Sequence, residues 1–360
     1  MIELEFERNS EGAYILDPEI IQRSFKVTYN KNEVTGVQLN NNFWLDNGNV
    51  QVLAKTIPEW KGSYLMSVFG ELLFSKFAEK NQIPCAEIDM GYYDGCYYTL
   101  SKNVLSPEEQ KLSFRDLRKL CSKEDDYKFA TIRESESLLV EYSHKFGVKI
   151  ASKCFFKLKV MALIDFLVSQ RDRNITNILF AVQDTPQGKV IDVKSFVDNE
   201  NSFAFLFLLH RYNDFNMPQN SFLYKTTKKR RKINKLIGKA KVVGKDLALP
   251  VFGVKSTPRF DWETLNFREF FGEIIRNAET KKYKAKASME LAEEMKKDYR
   301  LYSLFKNTEF DADSCGREIF EETGICIPKQ YLNLAQEIVD SRKKDLCFSL
   351  DKLLQSEMGG

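Results

Sequence analysis

Apolar and polar positions change their period along the chain. From residue 12 to 57, short runs rich in β-branched and aromatic residues alternate with polar turns, as in Ser24–Leu39 and Asn42–Ile57. The Asp46-Asn47-Gly48-Asn49 stretch between two such runs predicts a β-hairpin. Within Met66–Lys80 the apolar residues recur every three or four positions, the stripe of a helix, and Pro84 lies just beyond. Two further strands are expected around Asp94-Gly95. After Pro107 the pattern becomes mainly helical, with helices over Ser135–Phe146 and Cys154–Gln170. The second is apolar nearly all round and belongs in a core. A polar, turn-prone segment follows it, then strands over Ile178–Gln183 and Val190–Asp198 joined by Asp184–Lys189. Everything from Trp262 onward reads as helix.

These elements predict an α+β protein of two lobes. Residues 1–104 form a small β-rich N-lobe of strands and one helix, and residues 105–360 a mainly helical C-lobe. A chain of 360 residues, 43% hydrophobic and 29% charged, can bury a sizeable core without staples. Its seven cysteines are scattered and only His144 and His210 are present, so a structural zinc site or a disulfide framework is not expected. No apolar run approaches the roughly 18 residues that span a bilayer, and Met1–Gly12 lacks a signal pattern. A cytoplasmic location is expected.

The net charge of +3 hides a block. Lys225–Lys245 holds ten basic residues and no acid, beginning 27 residues after Asp198. Such a run is a solvated loop by default; the alternatives are a surface for nucleic acid or for an acidic partner. No aromatic interleaving or recognition-helix pattern favours nucleic acid as the main ligand.

Candidate chemistry centres on Gln170–Asn177. Asp172 precedes Asn177 by five positions, in a loop between a buried helix and a strand hairpin. There the carboxylate can orient or deprotonate a hydroxyl, and the carboxamide oxygen suits Mg²⁺, which takes hard oxygen ligands. Asp198 can supply a second oxygen if the hairpin folds back; Asp192 competes for that role. Lys55, at the end of a strand, can neutralise phosphates, and Glu71 on the next helix can hold Lys55. Taken singly, each has a plain structural reading as a cap, a solvated charge or a helix-surface carboxylate.

The order of Lys on a strand, Glu on a helix, Asp-x-x-x-x-Asn and Asp after a hairpin resembles the protein-kinase-like fold. It is most similar to the HipA-like kinases and secondly to the phosphatidylinositol 4-kinases. Gln170-Arg171-Asp172-Arg173-Asn174-Ile175-Thr176-Asn177 stands where those families carry Asn-x-Asp-Arg-His/Gly-x-x-Asn. The stretch Gly70–Tyr93 resembles the HipA-like helix with its Glu and the turn after it. The likeness runs from about residue 40 to 205. It departs at Gln170 and Asn174, and in lacking Gly-x-Gly-x-x-Gly, with only Gly36 near the expected phosphate loop. A chain this short is also expected to lack the extra N-terminal subdomain of HipA toxins.

The resemblance implies ATP and Mg²⁺ as cofactors and phosphorylation of Ser or Thr on a protein. Lys55 would contact the α- and β-phosphates and Glu71 would fix it. Asp172 would be the catalytic carboxylate, with Asn177 and Asp198 on the metal. Leu100, Ser101, Lys102 and Asn103 would border adenine through their backbone. A lipid or small-molecule kinase is the runner-up; a kinase-fold binding module using the basic run is the reading from another class. Glu309 with Arg317–Ile325 also matches most of a Nudix box, a Mg²⁺-binding carboxylate motif. The helical sequence before it does not supply the required sheet, and a charged helix capped by Gly324 is the expectation.

Overall fold

The computed structural model describes residues 2–29, 32–34, 42–56, 65–93, 95–121, 132–170, 177–197, 199, 202–204 and 278–358. The basic run Lys225–Lys245 lies outside them, as do Gly36, Asp172, Asp198 and residues 262–277 of the expected helical region.

The N-terminal half builds a seven-stranded sheet in the order β1-β6-β7-β5-β4-β2-β3. Its strands are β1 (Tyr14–Ile15), β2 (Lys26–Tyr29), β3 (Asn32–Val34), β4 (Phe43–Asp46), β5 (Gln51–Thr56), β6 (Ile88–Tyr93) and β7 (Cys96–Lys102). The Asp46–Asn49 hairpin forms as expected: Gly48 takes a positive φ of 85°, and the Asn47 N–H bonds the Val50 carbonyl. Gly95, with φ 78°, lies between β6 and β7. Among the described residues, two helices, not one, accompany this sheet. Besides α2 (Leu65–Lys80), a helix α1 spans Pro18–Ser24 in a region expected to hold only strands. Asp17 caps it by accepting from Glu19 N–H and Ile20 N–H, and Pro18 at its first position fits because that N–H has no helical partner.

A second sheet has the order β8-β10-β11-β9, from β8 (Glu109–Ser113), β9 (Lys149–Ile150), β10 (Leu179–Thr185) and β11 (Gly188–Val193). Helices α3 (Phe114–Leu120), α4 (Ile132–Phe146) and α5 (Cys154–Leu167) surround it. The C-terminal helices are α6 (Ala278–Lys297), α7 (Tyr299–Asn307), α8 (Ala312–Thr323) and α9 (Lys329–Met358). The architecture is α+β, a β-rich lobe followed by a mainly helical one, as the pattern predicts.

Two cores hold it. The smaller lies within the first sheet, around Phe43, Leu45, Val52, Tyr98 and Leu100. The larger joins α2 and β6 to α5, β10, β11 and the C-terminal helices. Helix α2 thus lies in sequence between two strands of the first sheet, β5 and β6, but its core side chains pack with the second half of the chain. Gly12 fastens the N-terminus to the same region: a Cβ there would lie 2.6 Å from Ile325 N, beside the left-handed Gly324 that caps α8. Among the described residues, no helix is long and apolar enough to cross a membrane.

Candidate phosphoryl-transfer site

Lys55 projects from β5 and Glu71 from the middle of α2, and their charged groups lie 3.9 Å apart. Glu71 is only 2% exposed and Lys55 25%. A carboxylate that deep is stable only beside a cation or hydrogen-bond donors. The pair forms because α2 packs one face against β6, a strand of the same sheet as β5. On that face, Ser75, four residues after Glu71, donates its hydroxyl to the Ala86 carbonyl, 3.2 Å.

The hairpin between Asn177 and Asp198 forms. Its ladder runs from Phe180↔Val193 to Thr185↔Gly188, and the Lys194 N–H then bonds the Leu179 carbonyl at 2.9 Å. Asn177, 8% exposed, stands at the root of the first arm. Next to it, Ile178 accepts from Phe114 N–H at 3.0 Å. Asp198 itself lies outside the described residues, but the residues flanking it are placed. Phe196 pairs in a parallel bridge with Cys85 and exchanges hydrogen bonds with Pro84 and Ala86. Asn199 is fully buried and donates to Cys85 Sγ, 3.7 Å.

Phe196 joins the two halves of the site. Its ring lies 5.4 Å from that of Phe74, one helical turn after Glu71. The strand exit leading to residue 198 is therefore packed on the helix that holds Lys55.

Asp192, the competitor of Asp198, is occupied elsewhere: it lies within β11 and accepts from Lys157 Nζ of α5. The strand also ends at Val193, short of the expected Asp198, which frees the following residues to turn toward α2.

Asp172 is likewise outside the described residues, though the chain entering its loop is fixed. Helix α5 stops at Leu167, three residues before the expected end, because Ser169 adopts a left-handed φ of 53°. The Gln170 N–H bonds the Asp165 carbonyl at 2.8 Å. From α9, Arg342 donates to Ser169 Oγ at 3.2 Å while its guanidinium lies over the Phe166 ring. Sequence reasoning missed this arginine, which carries no local motif and sits 173 residues from its partner.

Leu100, Ser101 and Lys102 lie in β7, paired on one side with β5 and on the other with β6. The N–H groups of Lys102 and Asn103 already bond the carbonyls of Glu87 and Gln51. In the connection after Asn103, the Leu105 N–H bonds the Asn103 side-chain oxygen at 3.1 Å. That connection ends at Glu109, whose carboxylate accepts from Lys194 Nζ and Ser106 N–H. Burial disfavours its charge, but these hydrogen bonds outweigh burial and hold Glu109 below the usual carboxylate range.

The Nudix-like segment forms α8, capped by Asp311 and ended by Gly324 at φ 77°, as a charged helix. Two of its carboxylates are engaged by α2. Glu322 accepts from Lys76 Nζ at 2.7 Å, and Glu318 pairs with Lys80 at 2.6 Å. The hydrogen bond from Lys80 holds Glu318 below its ordinary value. Lys80 is raised chiefly by the same bond. For Lys76, burial acts downward, but the bonds to Glu322 and Glu79 prevail and raise it.

The signs set a pH window. A depressed carboxylate contributes stability that is complete above the ordinary 4.5 and lost as pH falls through the folded value. The raised lysines contribute below 10.5 and lose it only as pH rises through their folded values. In urea titrations below about pH 4.5, the wild-type midpoint should fall more steeply than that of Glu318→Gln. Parallel curves would show that this pair contributes nothing.

No protein-family model matches the chain, and no curated protein matches it by sequence. Among solved structures it is similar to the proinflammatory kinase CtkA of Helicobacter pylori. The identity is 13% and the TM-score 0.41, over 89% of this chain and 93% of that one. It is also similar to a chain of the Shewanella oneidensis MR-1 toxin–antitoxin complex of HipA, HipB and operator DNA. That match has 10% identity and a TM-score of 0.35, over 91% of this chain and 62% of that one. These structures are of the kind the sequence resembles. At this distance neither carries an argument about this chain's chemistry, which has to come from its own residues.

Proposed function

We propose that the chain transfers the γ-phosphoryl group of Mg-ATP to a Ser or Thr hydroxyl of a protein substrate. The observation that carries this reading is the Lys55–Glu71 pair, with its carboxylate 2% exposed, packed through Phe74 and Phe196 against the chain that leads into Asp198. The donor set suits the cofactors: an ammonium for phosphate oxygens, and a carboxamide and a carboxylate for Mg²⁺. Mg-ATP supplies the phosphoryl group and the metal's charge. Glu71 keeps the Lys55 ammonium in place for the α- and β-phosphates. Asn177 and Asp198 hold the metal, and Asp172 orients the attacking hydroxyl and takes its proton. Leu100, Ser101, Lys102 and Asn103 border the adenine.

Mg-ATP binding tests the reading. Mg-ATP should raise the melting temperature of the wild type, since a ligand that binds only the folded state stabilises it. The shift should be largely lost in Lys55→Met and when EDTA replaces Mg²⁺. No shift in the wild type would remove the proposal.

A further inference from the structure

Helix α2 has two faces with different attachments. At about 100° per residue, Phe69, Lys76 and Lys80 fall on one stripe, with Phe77 beside it, while Glu71, Phe74 and Ser75 fall on the opposite half. The Glu71 face meets β6 and Phe196. The other face is fastened to the C-terminal helices from end to end. Phe69 packs on Tyr331 of α9 with ring centroids 5.8 Å apart, and Phe77 meets Phe310 edge-on at 5.4 Å. Lys80 also donates to Ser314 Oγ. At the helix end, Asn81 bonds both the carbonyl and the N–H of Glu309, at 2.8 and 2.9 Å.

Lys76 is the centre of this attachment. It is 7% exposed, with Glu79 and Glu322 at 2.7 Å and Glu318 at 4.0 Å. Of these groups only the Lys76 ammonium is buried, since Glu318 and Glu322 are 36% and 37% exposed and Glu79 68%. An apolar side chain of similar size at residue 76 would hold two helices together as well. What the ions add is geometric: they fix rotation and register. That matters here because a helix with its side chains has a radius of about 5–6 Å. A roll of roughly 10° would then move the Glu71 carboxylate by about 1 Å, against a Lys55–Glu71 separation of 3.9 Å. Misplacement by ~1 Å in a catalytic site can cost on the order of a hundredfold in rate.

We propose that α8 is a clamp that sets the rotation of α2, and that Lys76, through Glu322 and Glu318, is a positioning residue for the Lys55–Glu71 pair. The Nudix-like carboxylates of α8 thereby serve phosphoryl transfer from outside the site. The proposal rests on the kinase reading. It also implies that Glu71 is held facing Lys55 by the chain's own C-terminal helices, without an external partner.

The test is a cycle measured as Mg-ATP turnover, read as phosphate transfer or ADP release. Lys76→Met, which keeps the side-chain length, should lower kcat about tenfold or more and change the KM for ATP less. In a Glu71→Gln background the same substitution should have less than about a twofold further effect, since the clamp acts through Glu71. Lys76→Glu should be impaired and Lys76→Glu with Glu322→Lys restored. Glu322→Gln, at a half-exposed position, probes the same link if Lys76 variants fail to fold. An undiminished kcat in both Lys76→Met and Glu322→Gln would overturn the clamp. So would an equal loss with and without Glu71, because a merely structural role predicts additivity. A wild type that turns over no Mg-ATP would instead overturn the kinase reading on which the clamp rests.

Discussion

Asp172→Ala is expected to lower phosphoryl transfer by about 10²- to 10⁴-fold, the range for loss of a positioned general base, while leaving the fold and Mg-ATP binding in place. Helix α5 is held at its end by Ser169, Arg342 and Asp165. The hairpin beyond is held by its own ladder, by β8 and by the Phe196 bridge. These contacts hold the chain on either side of the loop, so the substitution is expected to remove chemistry and spare the fold. The phosphate and metal ligands Lys55, Asn177 and Asp198 would remain, and the Mg-ATP melting shift should persist. Measured kcat and the melting shift together check this. Unchanged turnover would remove Asp172 from the mechanism, and a lost shift would make it a binding residue.

Phe74→Ala should have the largest effect on stability. Its ring is fully buried, 6.3 Å from Phe77 and 5.4 Å from Phe196 by centroid. Truncating a buried Phe to Ala costs about 3–5 kcal/mol, from lost transfer energy and the cavity left behind. This position also couples α2 to the chain before Asp198, so Phe74→Ala should reduce Mg-ATP affinity in whatever fraction still folds. Phe74→Leu, which refills most of the space, should cost less and recover most of the binding. Urea unfolding followed by tryptophan fluorescence measures the first effect. A loss below about 1 kcal/mol would mean that the site collapses freely and that Phe74 is not a keystone between the halves.

The parts of this account that were legible in the sequence are those encoded locally. The Asp46–Asn49 hairpin, α2, α5 and the β10–β11 pair announce themselves through turn chemistry and period. The order Lys55, Glu71, Asp172, Asn177, Asp198 is legible only through the family resemblance it carries. Helix α1 was missed in a region read as strands; its signal is Asp17 as a cap followed by Pro18 at the first helical position. The pieces that could not be read are those made by distant partners. Lys76 and Glu322 are separated by 246 positions and Arg342 and Ser169 by 173. In the sequence Lys76 is one more charge on an amphipathic helix, and Glu322 belongs to a motif that suggests metal binding. Only packing turns the two into a contact. The same holds for Phe74 and Phe196, whose tilted ring contact packs the two segments together.

The measurement that bears most directly on the central claim is transfer of label from γ-labelled ATP to protein in the presence of Mg²⁺, with wild type and Asp172→Ala side by side. The wild type should deposit label on Ser or Thr, of itself or of an added protein. EDTA should abolish the signal, and the variant should lose it. Absence of any Mg²⁺-dependent label from the wild type on protein, lipid or small-molecule acceptors, or equal labelling by the Asp172→Ala variant, would contradict it.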